Sequence, residues 1–150
     1  MRIETSENPD DADYNALFAA LDAFNDEASG LPEPLGKLAL LIRDEAGRPT
    51  GGLWAVTYYG WMFIQLLFLP PALRRGGLAS RLLRQAEDVA RQRGCLGVWL
   101  DTFSFQARPF YERHGYTVFG EIGDYPPGGS RFFLSKRLDG AAALAEKAAE

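Results

Sequence analysis

The chain has 150 residues, of which 47% are hydrophobic, 24% charged and 13% aromatic, and its formal net charge is −4. These values fit one soluble globular domain, exclude a wholly disordered chain, and exclude a basic nucleic-acid footprint over the whole protein. The single cysteine excludes an internal disulfide, and the most apolar stretch, residues 61–69, is too short to span a membrane. We therefore expect a reduced, cytoplasmic protein.

The first half of the chain predicts one helix followed by three strands. Apolar residues at helical spacing predict the helix, with Asp10 as its N-cap, and residues 25–36 are interpreted as a loop or a poorly formed second helix. Strands are predicted at residues 37–43, 52–59 and 61–69. Because their connections are short, they should form an antiparallel meander, in which the third strand is hydrophobic enough to be central.

The second half predicts two helices and three more strands. The amphipathic first helix starts after two glycines and ends at Gly94, and a strand follows at residues 95–103. A short helix at residues 107–114 and strands at residues 116–122 and 131–138 complete the order. We predict one α+β domain over residues 1–138. The alanine-rich tail, residues 139–150, has little to bury and is expected to fray.

The turn before the amphipathic helix is the segment that indicates chemistry. Two prolines close the apolar strand, and Gly76 and Gly77 directly precede the helix. Residues 74–93 contain six arginines against two acids. Free amides at a helix start, together with nearby arginines, bind phosphate well. The alternatives are that the glycines only make a turn and that the arginines form a solvated helix face.

A first motif lies in this turn. Arg74-x-x-Gly77-x-Ala79 resembles the R/Q-x-x-G-x-G/A signature of the GNAT N-acetyltransferase superfamily, in which the turn binds the pyrophosphate of acetyl-coenzyme A. Alanine is rarer than glycine at the last position but lies within the pattern.

A second motif follows at the spacing expected for that family. Residues 104–116 resemble its N-x-x-A-x-x-x-Y-x-x-x-G-F/Y segment, with Ala107, Tyr111 and Gly115 in register. Ser104 stands where asparagine is frequent. The resemblance covers roughly residues 3–138.

The resemblance implies a GNAT-like three-layer α/β/α domain, with a central mixed, mostly antiparallel twisted sheet of about six to seven strands and helices on both faces. The strand ending at Leu69 would splay from the strand at residues 95–103, and an amide near residues 67–69 would stabilise the oxyanion. The resemblance implies these coenzyme-binding residues: Leu67, Phe68, Leu69, Arg74, Arg75, Gly76, Gly77, Leu78, Ala79, Ser80, Ser104, Ala107 and Phe110.

The same resemblance implies a reaction in which the acceptor amine attacks the thioester directly, so no enzyme nucleophile is needed. It makes Tyr111 the candidate general acid for the departing thiolate; packing is the alternative role. Asp101 is the best-placed carboxylate for a base, with a strand-end hydrogen bond as its alternative, and Glu121 and Asp124 are weaker candidates. We assign no base. His114 is interpreted as structural.

The acceptor is predicted only as an amine. No cluster of His, Cys, Asp or Glu has metal-ligand spacing, so no metal is predicted. The elements that shape the acceptor site in this family are rich in acids, which would suit a polyamine, an aminoglycoside-like compound or a lysine side chain, or would merely form an acidic surface. The six acids and one tyrosine on these elements are Asp22, Asp26, Glu27, Glu33, Glu121, Asp124 and Tyr125.

Three functions stay open at this point. The first is an acetyl-coenzyme A-dependent N-acetyltransferase acting on a small-molecule or protein amine. The second is a non-catalytic acyl-coenzyme A sensor, favoured by the unassigned base and by Ser104. The third is a nucleic-acid-directed protein that uses the arginines of residues 74–93, against which the lack of a wider basic surface argues. We expect no nucleic-acid or membrane partner, and a homodimer is a possible assembly.

Overall fold

A computed structural model describes residues 1–31 and 35–140. The chain forms two compact units, Met1–Pro34 and Leu35–Glu150. Its elements are α1 (Asp11–Ser29), β1 (Gly36–Arg43), β2 (Pro49–Tyr58), β3 (Trp61–Phe68), a 3₁₀ turn (Pro71–Leu73), α2 (Leu78–Gln92), β4 (Gly97–Phe103), α3 (Arg108–Arg113), β5 (Thr117–Gly123) and β6 (Ser130–Arg137). Within the described ranges, no helix is both long enough and apolar enough to cross a membrane.

Helix α1 is longer than the sequence predicted. Its N-cap is confirmed, because the Asp10 Oδ1 atom accepts a hydrogen bond of 2.9 Å from the Asp13 amide. The helix runs on to Ser29 and ends at Gly30, whose φ is +66°. The predicted loop or second helix from residue 25 is therefore wrong over residues 25–29, because Gly30 is the first helix breaker. Residues 32–34 of that prediction lie outside the described ranges.

The second unit is built on one six-stranded mixed sheet with the order β1-β2-β3-β4-β6-β5. The predicted meander is confirmed, since β1, β2 and β3 pair antiparallel in sequence order and β3 lies in the middle of the sheet. Only β3 and β4 pair in parallel, through the crossover helix α2. The observed sheet with its helices confirms the predicted α+β fold class.

Helix α2 packs its apolar face against the sheet and forms the core with it. Strands β1 to β4 and β6 contribute alternate residues to that face, and β5 contributes Val118. The fully buried part of this core is Leu53, Ala55, Met62, Leu83, Ala86, Ala90, Val98, Leu100 and Leu134. Cys95 belongs to the same buried cluster, which confirms its predicted role as a small hydrophobe.

Arg93 fixes the end of α2 to the first two strands. Its Nη1 donates to the Thr57 hydroxyl at 3.1 Å, and its Nη2 donates to the Lys37 carbonyl at 2.9 Å. We expect Arg93→Met to lower the free energy of unfolding by about 2 kcal/mol, because both hydrogen bonds are lost and the buried Thr57 hydroxyl loses this donor. Urea unfolding measures the change. Arg84→Met, at an exposed position of the same helix, should change it by less than about half as much.

Candidate functional site

The central feature of the site is a gap between two neighbouring strands. The parallel pairing joins Trp61–Ile64 of β3 with Gly97–Leu100 of β4 and then stops, although both strands continue. The predicted splay is therefore present. A register shift between β2 and β3 accompanies the splay. Leu66 lies opposite Trp54, and Ile64 lies opposite Ala55, so Gln65 has no partner on β2 and is the extra residue of a bulge. Such a bulge re-aims the main chain of β3 where the gap opens.

A cleft of about 1000 Å³ occupies this gap. It extends from the main chain of β3 past the start of α2 to α3. The coenzyme-binding residues predicted from the sequence that line it are Leu67, Phe68, Leu69, Arg74, Arg75, Gly77, Leu78, Ala79, Ser80, Ala107 and Phe110. Tyr111 and Asp101 line it as well, so the structure brings the predicted chemical groups to one place.

The turn into α2 shapes one end of the cleft. Gly77 is the N-cap of α2 with φ +79°, and no side chain caps the helix start. The first amides of this 15-residue helix are therefore available to an anion, and the positive end of the helix dipole adds to the attraction. Arg74 is held in place, because its Nε donates to the Leu69 carbonyl at 3.0 Å and its guanidinium lies 5.7 Å from the Phe68 ring. This end of the cleft fits a pyrophosphate.

Two of the predicted coenzyme-binding residues do not line the cleft, namely Gly76 and Ser104. The Ser104 hydroxyl, directly after β4, accepts a hydrogen bond of 3.1 Å from the amide of Ser130, the first residue of β6. Gln106 lines the cleft nearby, and its Oε1 accepts a hydrogen bond of 2.7 Å from the Phe103 amide. Sequence reasoning missed Phe105, Gln106 and Arg113 as lining residues, although all three lie inside the second motif.

Tyr111 is buried where α3 borders the cleft. Its ring packs edge-to-face against the rings of Phe110, at 5.1 Å, and Tyr116, at 6.0 Å. Burial, and to a smaller extent the negative charge of Asp101, raise the pKa of Tyr111 to about 12. The phenol is therefore protonated throughout the physiological range, so it can donate a proton or a hydrogen bond and cannot act as a base there.

The raised pKa of Tyr111 predicts a loss of stability in alkali. The folded state holds the phenolic proton more tightly than the unfolded state, so this contribution is complete below pH 10 and disappears as the pH rises through about 12. Between pH 9 and 11, we expect the free energy of unfolding of the wild type to fall by about 1 kcal/mol more than that of Tyr111→Phe. Urea unfolding at each pH measures it. Equal losses in the two proteins would contradict the assigned pKa.

Asp101 is held by an arginine from the neighbouring strand. The Arg131 Nε donates to Asp101 Oδ1 at 2.9 Å, and the Arg131 Nη2 lies 2.8 Å from Asp101 Oδ2. Arg131 also donates through Nη1 to the Tyr125 hydroxyl at 2.9 Å, and its hydrogen bonds to Asp101 raise the pKa of Arg131. The carboxylate thus makes the strand-end interaction that the sequence left open as the alternative to a base.

The other polar candidates are engaged locally. Glu121 accepts a hydrogen bond of 2.8 Å from the Ser130 hydroxyl, and Asp124 accepts one of 3.2 Å from the Gly128 amide. His114 Nδ1 lies 2.8 Å from the Phe110 carbonyl oxygen, which fits its predicted structural role. Within residues 1–31 and 35–140, no three His, Cys, Asp or Glu side chains are grouped as metal ligands. Glu33 lies outside these ranges.

Comparison with known proteins points to one family. The model of the acetyltransferase (GNAT) family matches residues 4–116. The chain is 44% identical over 101 residues to acetyltransferase Atu2258 of Agrobacterium fabrum, covering 67% of this chain and 74% of that protein. It is 40% identical over 106 residues to the blasticidin-S acetyltransferase of Streptomyces morookaense, covering 70% and 78%. A solved structure from Agrobacterium tumefaciens matches with a TM-score of 0.85 and 38% identity, covering 92% of this chain and all of that one.

Proposed function

Because this chain belongs to the GNAT acetyltransferase family and is an acyltransferase, we propose that it transfers an acetyl group from acetyl-coenzyme A directly to a primary amine of a small molecule or protein. The observation that carries this proposal is the single cleft between β3 and β4, which joins a basic helix start to a buried, protonated tyrosine. The first feature suits the coenzyme phosphates, and the second suits the leaving sulfur.

The coenzyme is held mainly by main-chain groups in this proposal. The amides of residues 75–80 and the guanidinium groups of Arg74 and Arg75 bind the pyrophosphate, and Arg113 adds positive charge on the α3 side of the cleft. The pantetheine arm lies along the part of β3 that has separated from β4, where the strand offers hydrogen-bonding groups. An amide near residues 67–69 donates to the acetyl oxygen and stabilises the negative charge that forms on it.

The transfer itself forms a C–N bond and breaks the C–S bond. The amine loses one proton and the thiolate gains one, so the reaction needs no net proton. Tyr111 donates a hydrogen bond to the departing sulfur and is the source of its proton. Complete transfer from a phenol of pKa about 12 to a thiolate of pKa about 8.5 costs roughly 5 kcal/mol. The tyrosine must therefore take up another proton at the same time as it gives its own to the sulfur.

The proposed reaction needs no side chain as a base for the amine proton. Asp101 keeps its ion pair with Arg131 in this scheme, and both of its oxygens remain hydrogen-bonded. The amine enters in its neutral form and gives its proton to water after attack. Asp101 as a base remains a prediction from placement alone. The engaged carboxylate also favours the second candidate function, a sensor that binds acyl-coenzyme A without turnover.

Calorimetric titration with acetyl-coenzyme A tests the proposal, with free adenosine as the control. Saturable binding of the coenzyme without binding of adenosine is expected, because the phosphates supply most of the contacts. Release of free thiol on adding amines then separates the enzyme from the sensor, which would bind without releasing thiol. Absence of coenzyme binding up to millimolar concentration would overturn both functions.

A further inference from the structure

Three aromatic side chains form a partly exposed surface at the edge of the cleft, which we call the aromatic shelf: Phe103, Phe105 and Tyr125. The rings of Phe103 and Phe105 are stacked at 5.3 Å with planes only 4° apart, and Tyr125 meets Phe103 edge-on at 5.3 Å. Phe105 is 71% exposed and Tyr125 is 42% exposed. Phe103 and Phe105 line the same cleft as Tyr111. The shelf therefore presents the largely exposed ring of Phe105 in the cleft that Tyr111 also lines.

The shelf lies on the side of the gap from which an acceptor must approach. Along β4, Leu100 and Thr102 are buried, and Leu100 belongs to the core beneath α2. Because side chains alternate along a strand, Asp101 and Phe103 point to the opposite face of the sheet. The phosphate-binding turn leads into α2, so the coenzyme occupies the α2 side. An amine that attacks the thioester directly comes from the other side, where the shelf is.

The charge of this region disfavours an acceptor with several positive charges. Asp101 is the one acid among the described lining residues, and Arg131 neutralises it. The Arg131 guanidinium lies 5.4 Å from the Phe103 ring, 5.1 Å from the Tyr125 ring and 5.3 Å from the Phe133 ring, so the protein's own cation already uses these ring faces. Three further arginines, Arg74, Arg75 and Arg113, line the cleft.

We propose that the aromatic shelf is the acceptor subsite and that it selects a primary amine joined by a short spacer to one planar aromatic ring. This inference rests on the proposed amine acetylation. A planar ring continues the offset stack of Phe103 and Phe105, and its amine then reaches the gap between β3 and β4, where Tyr111 lies. An aliphatic amine of equal size gains the apolar contact but not the stacking.

A matched pair of amines tests the subsite. 2-Phenylethylamine and 2-cyclohexylethylamine carry the same reactive group on the same spacer and differ in the planarity of the ring. We expect kcat/KM to be about fivefold higher for the aromatic amine and lower still for spermidine. Phe105→Leu keeps an apolar side chain without the ring and should bring the aromatic preference close to one. Phe119→Leu, which is 62% exposed on β5 and outside the cleft lining, should retain the preference.

Failure of the subsite and failure of the proposed function give different results. Equal or better turnover of cyclohexylethylamine or spermidine, or an unchanged preference in Phe105→Leu, overturns the subsite and leaves acetylation standing. If no amine is acetylated, saturation-transfer NMR of phenylethylamine with the protein and desulfo-coenzyme A decides the matter. If saturation transfer reaches the ring protons of phenylethylamine in the wild type and is lost in Phe105→Leu, the subsite is supported although no acetylation occurs. If the wild type shows no such transfer, the subsite is overturned.

Discussion

Tyr111→Phe is expected to lower kcat about 10²-fold while the affinity for acetyl-coenzyme A stays unchanged. The substitution removes one hydroxyl and keeps the ring that packs between Phe110 and Tyr116. In the proposed mechanism the hydroxyl acts on the sulfur only as the C–S bond breaks, so its loss raises the barrier of the chemical step. The bound coenzyme before reaction should be held equally well, since the turn at the start of α2 is untouched.

Steady-state thiol release and calorimetric titration measure the two quantities for Tyr111→Phe. Tyr116→Phe is the matched control, because Tyr116 is also a buried tyrosine and its hydroxyl has no hydrogen-bond partner among the residues that the structure describes. Its kcat should stay within about twofold of the wild type. A near-normal kcat in Tyr111→Phe would transfer the acid role to water or to another group.

Gly77→Val is expected to weaken coenzyme binding at least about tenfold. The φ of Gly77 is +79°, a left-handed conformation that a β-branched residue adopts only with strain. A Cβ atom at this position would meet no protein atom within 4 Å, so its bulk lies in open space beside the start of α2. The new side chain therefore both distorts the turn and occupies space that the pyrophosphate uses in the proposed function.

The control for this prediction is Gly94→Val. Gly94 has φ +74° and is likewise open around the position of a Cβ atom, so the substitution causes the same kind of backbone strain outside the cleft lining. Both variants should unfold at a lower temperature than the wild type, and only Gly77→Val should lose coenzyme affinity in calorimetry. Unchanged affinity in a folded Gly77→Val would remove the pyrophosphate from this turn.

The elements that sequence reasoning located are those with strong local signals. Short apolar runs and the glycines and prolines at turns placed β1 to β6 to within a few residues at each end. The error in α1 has a local cause as well: Gly30, Pro32 and Pro34 suggested an early break, but residues 25–29 contain neither proline nor glycine and continue the helix. Both motifs were located because each lies within one short, continuous segment of the chain.

Interactions between distant elements could not be predicted in this way. Asp101 and Arg131 are 30 positions apart, and they meet because β6 inserts between β4 and β5 and places Phe133 opposite Asp101. No periodicity in the sequence specifies that register. The same holds for Ser104, which the motif assigned to the coenzyme but which bonds to Ser130 once the two strands are neighbours. The aromatic shelf likewise combines β4, the residues after it, and the β5–β6 turn.

The gap between β3 and β4 has a consequence for how the protein tolerates genetic change. In the proposed function its walls offer main-chain amides and carbonyls to the acyl donor, and a missense mutation leaves these groups in place unless it introduces proline or changes the local backbone conformation. The side chains of Phe103, Phe105 and Tyr125 can vary with little effect on those groups. If both proposals hold, most substitutions leave recognition of the donor intact, whereas substitutions at a few positions of the aromatic shelf change which acceptor is preferred.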